Sequence, residues 1–314
     1  MRSRALWLLL GLFGLCCVAY MTVGAQGPWS FVLPFRGTKL AALCVVAVAV
    51  SSSTVVFQTV AGNRILTPSI MGFDALYILV LTGLVFFLGA QTALQLPEGA
   101  LFALNSGLMM VAAIVLFGTV ILQARADILR MILTGVVLAT MFRALTAFWQ
   151  RLIDPNEYLI IQASSYARFN RVEMELLPLA AVLTGVVLAV LWWRRRQLDV
   201  LALGHNAATN LGLRVRRETF IALSLVAILV SVSTALVGPV VFLGLLVVSI
   251  ARFIEPSDNH GHILPVAAVL SAITLVGGQL FLEQVFELNT PLSVVVDLMG
   301  GAVFLWLILR RMRP

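Results

Sequence analysis

The stretch RRRQLDVLALGHNAATNLGLRVRRE, Arg194 to Glu218, is the one long polar island of the chain and separates two apolar runs. It holds six Arg and no Lys. That many guanidinium groups cannot be stabilised in hydrocarbon, so the island must lie in water and its neighbours must do the spanning. Within it Leu198, Leu201, Leu203, Ala208, Leu211 and Leu213 are spaced as short amphipathic turns, broken at Gly204 and Gly212. Such a segment is expected to be a cytoplasmic surface that docks something.

Working outward, 314 residues of which 61% are hydrophobic and 11% charged cannot cover a water-soluble surface. An integral membrane protein is expected, all-α and a single domain over residues 1–314. A hydrocarbon core of about 30 Å takes roughly 20 helical residues per crossing. Hydropathy places about ten spans, near 5–25, 40–61, 70–90, 104–123, 131–150, 176–193, 219–237, 240–254, 263–286 and 292–309. The first follows Arg2 and Arg4 and ends at Val23-Gly24-Ala25, like a leader peptide, but its length favours an uncleaved anchor. With both termini inside, fifteen of the 21 Lys and Arg fall on the cytoplasmic side. Five (Arg36, Lys39, Arg151, Arg168 and Arg171) fall outside, and this bias predicts N-in, C-in. The longest outside segment, Leu152 to Met174, has room for a short surface helix.

Several chemistries are excluded. The net charge of +7 sits beside apolar spans with no aromatic-interleaved patch, which argues against nucleic acid. Cys16, Cys17 and Cys44 are odd in number and inside spans, so no disulfide framework is expected. The only Lys, Lys39 in RGTKLA, lacks the glycine spacing of a phosphate-binding loop. His260 and His262, with Glu255 and Asp258 in EPSDNHGH, form no defined ligand set and are expected in a solvated turn. No nucleophile is paired with a base. What stands out is ionisable residues inside spans: Arg143 in the fifth, Asp297 in the tenth, and Glu283 with Glu287 on one face near the outside mouth. Small residues such as Ser51-Ser52-Ser53 and Gly277-Gly278 are read as close helix packing.

Four segments, in order, resemble motifs of the type II ABC importer permeases for iron chelates and cobalamin, the FecCD type. They are FRGTKLAAL from Phe35, FQTVAGNRILTPSIMGF from Phe57, LDVLALGHNAATNLGL from Leu198 and GPVVFLGLLVVSIARF from Gly238. Departures are Val248-Ser249 where the family has Pro-His, Gly300-Gly301-Ala302 for Gly-Ala-Pro, and Asp199 for an Asn. The pattern is similar to the second permease of a ferric catecholate-type siderophore importer.

The resemblance implies a multi-pass permease of the bacterial inner membrane. Its substrate would be an iron-siderophore complex, with cobalamin or haem as alternatives. Implied partners are a second permease, as heterodimer or homodimer, two ABC ATPase subunits, an extracytoplasmic substrate-binding protein and the lipid bilayer. No cofactor would be bound by this chain; ATP and Mg would be used by the ATPase. The implied ATPase-coupling residues, within 194–218, are Leu201, Leu203, Gly204, His205, Asn206, Ala208, Leu211 and Gly212. Arg36 and Lys39 fall where the family docks its binding protein, and Arg143, Asp297 and Glu283 are candidates for the translocation path. An ion-coupled secondary transporter using those three is the reading from a different class.

Overall fold

The structure, a computed structural model, describes residues 2–25, 27–89, 98–116, 128–164, 169, 174–285 and 292–311. Among the described residues it is helical without strands. In chain order the helices are α1 (Arg2–Thr22), α2 (Trp29–Ala61), α3 (Phe73–Leu88), α4 (Glu98–Leu116), α5 (Ile128–Gln150), α6 (Pro155–Ser164), α7 (Leu176–Trp193), α8 (Arg195–Leu201), α9 (His205–Asn210), α10 (Val215–Val237), α11 (Leu243–Ile254), α12 (His260–Val285) and α13 (Leu292–Arg311). A helix lies at each predicted span, and α6 is the short helix for which Leu152 to Met174 had room. Among the described residues five helices are long and apolar enough to cross a membrane: α1, α2, α7, α10 and α12.

The centre is α2, which packs against α10, α11 and α12, with α1 on α12 and α4 and α7 on α10. From Ala42 to Ala61 most of its residues are buried, and its Ser51, Ser52, Ser53 and Thr54 are at most 2% exposed. Three of these hydroxyls satisfy themselves by donating back one turn, Ser51 to Ala47 and both Ser53 and Thr54 to Val50. Small polar residues therefore let neighbouring backbones approach without leaving an orphaned donor in an apolar interior. The closest approach is at Gly244 of α11, where a Cβ would overlap Thr54 Oγ1.

The second span begins eleven residues earlier than hydropathy suggested, at Trp29 rather than 40. Arg36 and Lys39 do not break the helix because long basic side chains near a helix end carry their charge along its surface. Conversely, α3 and α11 are short, 16 and 12 residues. At 1.5 Å per residue they span only about 24 and 18 Å. Both follow connections, the first of them holding a 3-10 turn at Ser69–Met71, in which Leu66, Thr67 and Val240 are at most 6% exposed. Irregular backbone at membrane depth is tolerated only when protein encloses it, and these three residues are so enclosed.

Candidate docking turn and inner path

At one end of the bundle the polar island folds as two short helices, α8 and α9, joined and ended by glycines in the left-handed region, Gly204 (φ +91°) and Gly212 (φ +82°). No neighbour lies within 4 Å of a Cβ at either, so backbone conformation alone demands glycine. The eight residues implied for coupling divide into two groups. Leu201 and Ala208 are buried, 7% and 0% exposed, and anchor the turn. Leu203, Gly204, His205, Asn206, Leu211 and Gly212 are exposed, with Leu203 61% and Leu211 64% accessible. Beside them an open groove of about 580 Å³ is lined by His205, Thr209, Leu213, Arg214, Arg216 and Phe220. The flanks are fixed: Arg194 pairs with Glu218, and the Arg195 guanidinium lies 4.3 Å over the Trp192 ring.

The turn EPSDNHGH is solvated only in part: Pro256, Asp258 and Asn259 are exposed, as its composition suggested, but two of its ionisable residues are not. Glu255 is 4% and His260 1% exposed, whereas His262 is exposed. Asp258 ties two basic residues together, Arg64 at 3.1 Å and Arg252 at 2.8 Å. His260 is taken out of water by Asp199 of another helix, which a local reading cannot see. Among the described residues no cluster of His, Cys, Asp and Glu is placed to hold a metal.

The starts of α3 and α11 border one small cavity. The Asp297 carboxyl group of α13 accepts the Phe242 N–H at 3.0 Å and also that of Val241, at the start of α11. Asp297 does not pair with Arg143, which is exposed on α5. Near the start of α3, Asp74 accepts from Ser69 and is acted on electrostatically by Asp297 and Arg143. Asp74 borders a small cavity of about 20 Å³, room for about one water, walled by Ser53, Thr54, Ser233, Thr234 and Gly244. Sequence reasoning missed Asp74 although the signal was present: it is an ionisable residue within the span placed at 70–90.

Away from α8 and α9, near the start of α2, Arg36 ties its guanidinium to the end of α1, donating to the carbonyls of Tyr20, Val23 and Gly24 at 2.6, 2.7 and 3.1 Å. It also lies 4.0 Å from Glu283 of α12, both side chains being nearly buried at 13% and 11%. Glu283 accepts from Gln279 at 2.9 Å and Tyr20 at 3.3 Å. Glu283 thus sits with Arg36 rather than with Arg143 and Asp297, while Glu287 lies outside the described residues. Lys39 rests its ammonium 4.4 Å over the Phe35 ring.

Residues 9–310 match the FecCD transport family. The chain belongs to this family. It is 39% identical over 303 residues, 96% of either chain, to the petrobactin import system permease protein YclO of Bacillus subtilis (strain 168). To the petrobactin import system permease protein FatC of Bacillus anthracis it is 30% identical, over 88% of this chain and 78% of that one. The vitamin B12 import system permease protein BtuC of Vibrio cholerae is 27% identical over 98% of this chain and 94% of its own. In fold, this FecCD-family chain is similar to an inward-facing structure titled as of a metal-chelate type ABC transporter, with a TM-score of 0.83 at 20% identity, covering 98% and 99% of the two chains.

Proposed function

We propose that this chain is the membrane-spanning permease subunit of an ATP-driven importer for an iron(III)-siderophore complex, in the inner membrane of a bacterium. The observation that carries the reading is the docking turn: apolar leucines exposed on a rigidly anchored, Arg-flanked double turn suit a groove on another protein. The FecCD membership and the siderophore permeases among its relatives support the substrate class. In this reading the chain is one domain of ten spans with both termini cytoplasmic. It pairs with a second permease, is driven by two ATPase subunits that use ATP and Mg, and receives its cargo from an extracytoplasmic binding protein. Leu203 to Gly212 meet the ATPase. Lys39, with Arg36 behind it, faces the binding protein, and Arg143 faces the path between the permeases. Asp297 sets the inner wall and Glu283 the mouth. Transport proceeds by alternating access at the permease interface.

Asp74 and Asp297, half-buried carboxylates within helices, favour one competing reading, an ion-coupled transporter. Reconstitution in liposomes with the second permease, ATPase and binding protein separates the two. The importer takes up radiolabelled ferric siderophore only with ATP on the ATPase side. Uptake that continues without the ATPase and stops with a protonophore would establish the competitor instead.

A further inference from the structure

Asp199, His260 and Thr59 belong to three different helices and meet at one point beneath the docking turn. A single carboxylate oxygen, Asp199 Oδ1, accepts both the backbone N–H of His260 and its ring Nδ1–H, each at 2.7 Å. A carboxylate can only accept, so the ring proton is on Nδ1. On the far side of the ring, Nε2 lies 2.8 Å from Thr59 Oγ1. Thr59, near the end of α2, also has its hydroxyl 3.0 Å from the Val55 carbonyl. It has one proton to give. Two arrangements satisfy every atom: a neutral ring accepting from Thr59, or a charged ring donating to Thr59 while that hydroxyl turns to Val55. In both, the imidazole is held at its two ends, and it is almost wholly enclosed.

This junction bears on how force would pass. With seven residues, α8 is too short to hold its own direction, so tertiary contacts set it. Leu198 and Leu201 supply apolar contact, which is non-directional and permits sliding. The Asp199 bonds are short and directional and do not. They connect α8 to the first residue of α12, and through the ring to α2, the helix around which the bundle packs.

We propose that Asp199 and His260 are positioning residues: a strut that converts displacement of the docking turn into displacement of α2 and α12. This rests on the reading of Leu203 to Gly212 as the ATPase contact. The test uses the complete transporter in liposomes and reads three quantities separately: ATPase co-purification, ATP hydrolysis stimulated by loaded binding protein, and siderophore imported per ATP hydrolysed. Asp199→Ala is expected to keep co-purification and hydrolysis while imported substrate per ATP falls about tenfold. Asp199→Asn, which keeps an acceptor, should restore the ratio to within about twofold of the parent. Should Asp199→Ala not fold, Thr59→Val is close in shape, removes the bond to the ring together with the one the hydroxyl can give to Val55, and should lower the same ratio.

An unchanged ratio in the foldable variants overturns the strut. So does a parallel fall of uptake and hydrolysis, the mark of a purely structural role. Failure of the docking reading itself is seen elsewhere, as co-purification surviving Leu211→Asp.

Discussion

The carboxylate of Asp297 accepts the backbone N–H of Phe242 at 3.0 Å, so a side chain of α13 caps the start of α11 through a residue 55 positions earlier in the chain. Its role is to satisfy N–H groups at the start of α11, where no preceding turn of helix supplies an acceptor. Asp297→Asn retains an acceptor and should leave the purified complex near parental stability. Asp297→Leu should cost about 1–2 kcal/mol, read as a lowered melting temperature.

Arg36 and Lys39, paired by the sequence, should separate by experiment. Removing Arg36 unfastens α1 from α2, so Arg36→Ala should speed amide exchange around Val23. Arg36→Lys should not rescue, since one ammonium cannot replace a planar fork shared among three carbonyls. Lys39→Glu, in contrast, should leave exchange unaltered and slow capture of the binding protein about fivefold at low salt, the difference shrinking as salt is raised. Equal capture rates at every salt concentration would remove Lys39 from the docking face.

Where α11 crosses α2, Gly244→Ala forces its new methyl onto the Thr54 hydroxyl. Thr is β-branched and stiff in a helix, and this hydroxyl is committed to Val50 at 2.8 Å, so it cannot swing away cheaply. The substitution should destabilise by about 1–3 kcal/mol. Thr54→Ala in the same chain should recover part of that loss, a coupling that a double-mutant cycle on thermal stability will detect.

Two leucines of the docking turn give opposite expectations. Leu211→Asp alters an exposed residue and should abolish ATPase co-purification while membrane yield is kept. Leu201→Asp puts a charge into the anchor and should lower yield itself. Identical behaviour of the two variants would mean that the turn has no distinct outer face.

For the path, Arg143→Ala should reduce siderophore uptake several-fold with assembly of the complex intact, because its side chain is exposed on α5 and forms no ion pair among the described residues. Loss of assembly would instead assign Arg143 to the permease interface.

The apolar periodicity determined much by itself. Helical spans, the placement of the polar island in water and the glycine breaks within it follow from solvation and backbone sterics, which act locally and leave their mark on neighbouring residues. The four motif segments carried the family for the same reason, each being continuous in the chain. What the tertiary structure decided is which polar groups find partners. Asp199 with His260, Arg36 with the end of α1, and Asp297 with Phe242 join residues 61, 16 and 55 positions apart. A His in a hydrophilic turn reads as solvated until a carboxylate from another helix removes it from water. The polar island shows both halves: its sequence said that it must face water, and only packing divided Leu201 and Ala208, which hold it, from Leu203 and Leu211, which it offers.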